Sequence, residues 1–222
     1  ESELSTYRDN LKFVKPSFGH GCLYVGFDKT AKELEITNTN LWIYPSYDHD
    51  INTYNYMNDE SKDFPVTYIS FASSKDPSWD KEHPGTATLE AIVPTNYKNF
   101  QKWENKPWKG RGDDYEKYKE DFSNRIISKI YQHCPHLKHK ISYHELSSPL
   151  STRDMAHYEF GELYGADHTP SRFEQKWLKP KTPIKNLYMT GQDITTVGLP
   201  SALMSGILTS SVLMKKNLFK KI

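Results

Sequence analysis

The sequence of 222 residues lacks most of the features that assign a protein to a class at first reading. Its only cysteines are Cys22 and Cys134, which excludes a disulfide framework and favours a reducing environment. The 29 lysines and arginines nearly balance the 28 aspartates and glutamates, so the formal charge of +1 gives no reason to expect a nucleic-acid partner. The first residues have neither the basic nor the apolar part of a signal peptide. We therefore expect an intracellular protein, either cytoplasmic or peripherally associated with a membrane.

Several catalytic and cofactor-binding motifs are also missing from the sequence. No predicted strand is followed by Gly-x-Gly-x-x-Gly, so the chain does not contain a complete dinucleotide-binding domain. No Gly-x-Ser-x-Gly nucleophile elbow occurs, which leaves a hydrolase with little support. His133, Cys134, His136 and His139 lie close together in sequence, but a structural zinc site needs a second pair of ligands at a defined distance. We predict no metal site.

Short alternating and helical patterns fill the first two thirds of the chain and predict an α+β fold with an antiparallel or mixed sheet. Residues 46–61 are predicted to form a long loop or a mobile lid. A long helix is predicted after Asp113, which pairs with Glu116 in a capping box, and another helix is predicted from residue 148 to about residue 158. The predicted strands are residues 21–27, 33–37, 40–44, 66–72, 86–93 and 139–146. Residues 66–72 and 86–93 are predicted to be antiparallel neighbours.

Residues 186–206 are typical of a strand followed by a tight polar loop and a helix. Residues 187–190 have strand character, Gly191 ends that run, and Gly198 allows a second bend. Pro200 suits the first turn of a helix, where its missing N–H is no loss. The unpaired N–H groups and the positive dipole end of such a helix form an anion site. On this pattern alone, a core helix without a ligand is an equally good interpretation.

The helix that begins at about Pro200 has one small face and is apolar elsewhere. A helix that is apolar nearly all round is expected to be buried. Residues 194–214 carry no charge and lysines follow them, so a C-terminal membrane anchor is the alternative, although Gly198, Pro200 and the serines and threonines count against it. The small face consists of Ala202, Ser205, Gly206, Thr209 and Ser210.

Residues 161–168 form a second candidate loop. Gly161 and Gly165 flank Tyr164, and Asp167 and His168 follow them. A flexible backbone of this kind presents a proton donor or a hydrogen-bonding set to a substrate. The alternative is a polar loop with glycine turns and no catalytic role.

Five segments resemble one known family, and the resemblance extends from about residue 17 to residue 218. They are residues 64–71, 74–79, 108–115, 164–168 and 186–193. The last two, Tyr-Gly-Ala-Asp-His and Asn-Leu-Tyr-Met-Thr-Gly-Gln-Asp, are the most specific. Together they resemble the C-terminal half of the retinol saturases, within the FAD-dependent oxidoreductases that also include carotenoid desaturases and carotene isomerases.

The resemblance implies an FAD-dependent enzyme that acts on a carbon–carbon double bond of a hydrophobic polyene or isoprenoid, by saturation, desaturation or isomerisation. Residues 21–160 would form the substrate-binding domain, and residues 161–222 would form the C-terminal part of a Rossmann-like FAD-binding domain. Residues 1–20 would continue from a missing N-terminal, dinucleotide-binding half. We therefore do not expect this piece alone to retain FAD or to be active.

The resemblance also implies a cofactor site in the stretch 186–206. Gly191, Gln192 and Asp193 would lie along the ribityl-phosphate region of FAD, with Asp193 accepting a hydrogen bond from a hydroxyl group. The small face of the helix would pack against the missing dinucleotide-binding half. The start of the helix would lie beside the flavin and comprises Gly198, Leu199, Pro200 and Ser201.

The second loop would contribute to the substrate site. Tyr164 and His168 are the candidate proton donors, and Gly165 and Asp167 would line the pocket. The alternative function is a non-catalytic module that binds lipid or another protein, with or without a membrane anchor in its C-terminal helix.

Overall fold

The computed structural model describes residues 2–221 and divides into two compact units. One unit is Phe18–Glu162. The other combines the described residues up to Ser17 with those from Leu163 onward. The segment before residue 18 therefore packs with the C-terminal segment. The assignment of one unit to the substrate and the other to a cofactor stays a prediction.

The described residues form five strands and seven α-helices, with several short 3₁₀ turns between them. The strands are β1 (Gly19–Phe27), β2 (Leu41–Ile43), β3 (Thr67–Ser70), β4 (Ala87–Thr95) and β5 (Tyr143–Ser147). The helices are α1 (Ser2–Leu11), α2 (His49–Asn58), α3 (Trp79–Glu82), α4 (Asp113–His133), α5 (Pro149–Ala156), α6 (Pro170–Phe173) and α7 (Leu199–Met214).

All five strands belong to one sheet in the larger unit, in the order β2-β3-β4-β1-β5, and every neighbouring pair is antiparallel. On β1, Leu23 lies opposite Ala91 of β4 on one side and Leu146 of β5 on the other, and all three side chains are buried. The α+β class is confirmed. The predicted strands 21–27, 40–44, 66–72 and 86–93 are confirmed as well, together with the antiparallel pairing of the last two.

Helix α4 supplies much of the core that packs with this sheet. Its buried residues Phe122, Ile126 and Ile130 recur at helical spacing and belong to the same cluster as the inward side chains of β1 and β4. A side chain at Gly21 would place its Cβ 2.8 Å from the ring of Phe122, so glycine at this position lets the helix approach the strand. The long helix predicted after Asp113 is thus confirmed.

Three local predictions in this unit are wrong. Residues 33–37 form a turn instead of a strand: the Ile36 N–H donates to Ala31, and the fully buried Leu34 holds the turn against the core. Residues 46–61 are mainly helix α2, whose N-cap Asp48 accepts from the Ile51 N–H. Helix α4 is preceded by Gly112 at a φ of 90°, with no side-chain cap, so the predicted capping box does not form.

The smaller unit contains α1, α6 and α7 with long irregular connections. The predicted strand 187–190 does not form: the only ladder contact of this segment in the described chain is a single bridge between Lys181 and Tyr188. A Rossmann-like sheet is therefore not observed in residues 2–221. No helix in the described part of the chain has both the length and the apolar character needed to cross a bilayer.

Tyr56 is one of the tyrosines whose raised pKa makes the larger unit sensitive to alkaline pH. Burial raises the pKa of the Tyr56 hydroxyl from 10.0 to about 12. Between these values the unfolded chain releases the proton and the folded chain keeps it, so the free energy of unfolding falls as the pH rises, by up to about 3 kcal/mol. We expect Tyr56→Phe to remove this part of the pH dependence in urea titrations from pH 9 to pH 12.

The control for this prediction is Tyr47→Phe, because Tyr47 is fully exposed. The free energy of unfolding of the Tyr47→Phe variant should depend on pH in the same way as that of the unsubstituted chain. If Tyr56→Phe and Tyr47→Phe lost stability in parallel above pH 10, the tyrosine at position 56 would not be the cause.

Candidate functional site

The loop between residues 190 and 199 makes two sharp bends at glycines. Gly191 has a φ of 99° and Gly198 a φ of 106°, a left-handed conformation that favours glycine. Helix α7 begins directly after the second bend, with Pro200 in its first turn and no side-chain cap. The loop and the helix start are thus confirmed as the sequence predicts, and Gly198 at the N-cap has no side chain that could accept from the first N–H groups of α7.

Helix α7 is oriented with its small polar residues inward. Ser205 is fully buried and accepts from the Gly191 N–H at 2.7 Å, and the Thr209 hydroxyl donates to the Met189 carbonyl at 3.0 Å. These hydroxyls bind backbone groups that have no strand partner in the described chain. The apolar side of the helix is exposed, with Leu199 at 76% and Leu203 at 64%. The described residues do not cover this side of α7, so its burial as an interior helix of something larger stays a prediction.

Arg172 of α6 organises the loop from inside. Its side chain is 6% exposed, and its Nη2 atom donates to the carbonyls of Gln192 at 2.9 Å, Asp193 at 2.8 Å and Thr195 at 3.1 Å. Burial lowers the pKa of Arg172, and the nearby Asp193 and Asp167 act in the opposite direction. The guanidinium Nε and Nη1 atoms are buried without a hydrogen-bond partner among the described residues. One cation thus binds three backbone carbonyls within the short segment before α7.

The two candidate loops meet at Gly165 and Asp193. The Asp193 Oδ1 atom accepts from the Ala166 N–H at 2.8 Å. Gly165 has a φ of 64°, and a Cβ at this position would lie 2.3 Å from that same oxygen. The carboxylate of Asp193 therefore needs glycine at position 165 to reach the backbone.

His168 forms a second connection between the loops. Its Nε2 atom accepts from the Val197 N–H at 2.8 Å, and its Nδ1 atom lies 3.1 Å from the Ala166 carbonyl. An acceptor at Nε2 and a carbonyl beside Nδ1 together assign the proton to Nδ1 of a neutral imidazole. In this arrangement Nε2 has no proton to donate, and the ring holds the loop that leads into α7.

The remaining predicted residues lie around these contacts. The Tyr164 ring is half-buried, 6.3 Å from that of His168 in an edge-on arrangement, and its backbone N–H donates to the Ser17 hydroxyl. The Asp167 N–H donates to the Lys15 carbonyl at 2.7 Å. Leu199, Pro200 and Ser201 form the first turn of α7 as predicted. The geometry brings both loops together, while the roles assigned to their residues stay predictions.

Arg172 and Thr195 were not predicted as site residues from the sequence. The Thr195 hydroxyl donates to Gly191 and to Ser201 at 3.2 Å each, which joins the loop to the first turn of the helix. Neither residue stands in a recognisable motif. The only indication for Arg172 in the sequence was its position. It lies four residues after His168, in a short helix that follows Thr169 and begins with Pro170.

We expect His168→Ala to loosen the entry to α7. The Val197 N–H loses its acceptor, so the free energy of unfolding should fall by about 1–2 kcal/mol and exchange of the Val197 amide hydrogen should become faster. Hydrogen exchange followed by mass spectrometry measures this change. His136→Ala, at an exposed position, is the control. Unchanged exchange at residues 196–198 would contradict the connecting role of the imidazole.

A separate cavity of about 720 Å³ lies in the same unit, between α1 and residues 177–188. It shares no lining residue with the two loops. Its walls combine the edge-on pair Tyr7 and Trp177 with the side chains of Lys179, Lys181 and Lys185. Among residues 2–221, no group of three or more histidine, cysteine, aspartate or glutamate side chains is arranged to hold a metal ion.

Comparison with curated proteins identifies relatives along almost the whole chain. The all-trans-retinol 13,14-reductase of Rattus norvegicus is 35% identical over 223 residues, which is 97% of this chain and 37% of that protein. The human protein of the same name is 32% identical, again over 97% of this chain and 37% of that protein. The chain is a homologue of the all-trans-retinol 13,14-reductases. The resemblance seen in the sequence is thus confirmed, although no protein-family model matches the chain.

The reductases that match are much longer than this chain, which spans about 37% of their length. Another relative, from Danio rerio, is named inactive all-trans-retinol 13,14-reductase and is 31% identical over 94% of this chain. At this level of identity the relatives thus include proteins named as reductases and one protein named as an inactive reductase. The site residues must be tested one by one.

Proposed function

We propose that the chain is the C-terminal part of an FAD-dependent oxidoreductase that acts on a carbon–carbon double bond of a retinoid or a related polyene or isoprenoid. The observation that carries the proposal is the homology to all-trans-retinol 13,14-reductases over 97% of the chain. The missing N-terminal half would contribute the dinucleotide-binding motif that this sequence lacks. The chain alone would be inactive, because it contains only part of the cofactor site.

The fit of the loop to a flavin cofactor rests on its open glycines and uncapped helix start. At Gly191 no atom lies within 4 Å of the place that a Cβ would occupy, and at Gly198 only a Pro200 atom at 3.9 Å does. A ligand can therefore approach the backbone closely at both bends, and the first N–H groups of α7 can donate to it. Gln192 and Asp193 would line the same site, held by Arg172.

A bound flavin would supply the hydride chemistry needed to saturate or form a double bond. The residues of this chain would position the cofactor and move a proton. We propose Tyr164 as the proton donor, since its phenol is half-buried beside His168. His168 would position the loop through Val197, and Gly165 and Asp167 would shape the pocket.

The test uses the intact longer polypeptide that contains this chain. We expect the purified protein to carry flavin, seen as absorbance near 450 nm, and to reduce an added retinoid in the presence of an electron donor. Tyr164→Phe should lower turnover strongly with flavin retained, and Tyr158→Phe, on another half-buried tyrosine outside both loops, is the matched control. A protein without flavin would remove the proposal. Unaltered turnover after replacing both Tyr164 and His168 would remove only their assigned roles.

The second candidate is a non-catalytic module that binds a lipid or another protein. The relative named inactive, at 31% identity, is the observation that favours it. A protein of this kind would bind a retinoid without converting it, with or without flavin. Retinoid binding without product, under conditions in which a homologous reductase is active, would favour this candidate.

A further inference from the structure

The larger unit has a cavity of its own, which takes no part in the two loops. It has a volume of about 500 Å³ and lies between the start of α4, strand β5 and helix α5. All of its lining residues fall within 108–155, so they belong to the unit Phe18–Glu162. Sites for small organic ligands have volumes in this range. We call it the Arg111 cavity, after the most deeply buried cation in its wall.

Arg111 lines this cavity with a guanidinium that is only partly paired. Its side chain is 3% exposed, and its Nη2 atom donates to Asp154 at 2.5 Å. Its Nε atom is buried without a hydrogen-bond partner among the described residues. Buried N–H groups nearly always have an acceptor in folded proteins, and a guanidinium has five of them. Arg111 therefore has donor capacity beyond its bond to Asp154.

Lys119 of α4 brings a second cation to the same cavity. Its side chain is 16% exposed, and its Nζ atom lies 2.6 Å from Glu145 and 3.8 Å from Glu116. Both carboxylates also line the cavity, but more than half of each glutamate side chain is exposed, so water screens their charge more than that of the two cations. The inner part of the cavity thus favours an anion, and its rim is acidic.

The outer walls of the cavity are apolar and uncovered in the described chain. Trp108, Tyr143 and Met155 all line it and are 52%, 61% and 57% exposed. The ammonium group of Lys109 lies 4.7 Å from the ring centre of Trp108, which adds positive charge at the same side. Three large apolar side chains around one cavity form a surface that the apolar part of a ligand would remove from water.

We infer that the Arg111 cavity binds an amphipathic acid, that is, a single carboxylate on an apolar chain or ring. Arg111 and Lys119 would hold the carboxylate through charge-assisted hydrogen bonds. Trp108 and Tyr143 would cover the apolar body. A single negative charge suits this site, because a phosphate dianion would be repelled more strongly by the two glutamates at the rim. The inference does not depend on the presence of a flavin.

Calorimetric titration of the intact longer polypeptide with dodecanoate tests this inference. We expect saturable binding of dodecanoate and about tenfold weaker binding of dodecanol, which has the same chain without the charge. Lys119→Met should raise the Kd for dodecanoate about tenfold. The matched control is Lys129→Met, since Lys129 lies on the same helix, is 22% exposed and is likewise paired with a carboxylate, that of Asp63 at 3.0 Å.

Arg111→Lys is the second variant, because lysine keeps a cation beside Asp154 but lacks the planar fork of donors. It should weaken dodecanoate binding as well, and Lys119→Met decides the test if this variant does not fold. Equal affinities for dodecanoate and dodecanol would overturn the inference, since the cations would then play no part. The same Kd in Lys119→Met and Lys129→Met would also overturn it. Displacement of dodecanoate by an equal concentration of inorganic phosphate would identify a simple anion site and overturn the amphipathic ligand.

Discussion

Replacing Arg172 with methionine is expected to lower the free energy of unfolding of the smaller unit by about 3–5 kcal/mol and to abolish flavin retention in the intact polypeptide. The reason is the number of backbone groups that depend on one side chain. A single nitrogen binds the carbonyls of Gln192, Asp193 and Thr195, and methionine fills a similar volume without any donor. The Gln192 carbonyl keeps the Thr195 N–H as a second donor, while each of the other two carbonyls, if left unpaired away from water, costs about 1–3 kcal/mol.

Two further variants separate charge from geometry. Arg172→Lys keeps a cation but replaces the planar guanidinium with a flexible ammonium group, so we expect only partial recovery of stability. Arg8→Met removes an exposed arginine from α1 in the same unit and should be nearly neutral. Urea denaturation and flavin absorbance give the two measurements. If Arg172→Met retained flavin and unfolded at the same urea concentration as Arg8→Met, the loop would not depend on this guanidinium.

The sheet could be predicted from the sequence because its strands are buried on one face or both. Residues 66–72 and 86–93 alternate clearly, and β3 and β4 are found there with antiparallel pairing. The same rule failed at residues 33–37, because Leu34 and Ile36 point inward from a turn as well as they would from a strand. Periodicity reports which side chains are buried and does not by itself report the backbone that buries them.

The errors in the helices have related causes. Helix α2 contains several asparagines and tyrosines and has little amphipathic pattern, so it looked like a loop. Its stability comes from the Asp48 cap and from the single buried Tyr56. The start of α7 could be predicted from Gly198 and Pro200, but its orientation could not. Apolar composition indicates that a helix will be covered, and it cannot tell whether the cover lies within the same stretch of chain.

The candidate site was predicted in part. The bends at Gly191 and Gly198 could be predicted because a left-handed φ strongly favours glycine, so the residue type itself indicates the bend. The contact between Asp193 and the Ala166 N–H joins residues far apart along the chain and has no local pattern. Arg172 was missed for a similar reason: its partners are main-chain carbonyls, and any residue type supplies those.

Gly165→Ala is the second substitution for which we expect a large effect. Two costs add at this position. An L-residue in the left-handed region costs about 1–2 kcal/mol. The new Cβ would also lie 2.3 Å from the Asp193 Oδ1 atom, so the carboxylate must move and release the Ala166 N–H, a bond to a charged acceptor worth about 1.5–3 kcal/mol. We therefore expect a loss of about 3–4 kcal/mol in the free energy of unfolding.

A control and a double-mutant cycle distinguish the two costs. Gly85 has a φ of 76° and no atom within 4 Å of the place of a Cβ, so Gly85→Ala reports the conformational cost alone. Asp193→Ala removes the carboxylate that the new methyl group would strike. The double variant Gly165→Ala with Asp193→Ala should then lose clearly less stability than the sum of the two single variants. Strict additivity in urea denaturation would contradict a direct clash, and would mean that glycine is needed at position 165 for its backbone conformation only.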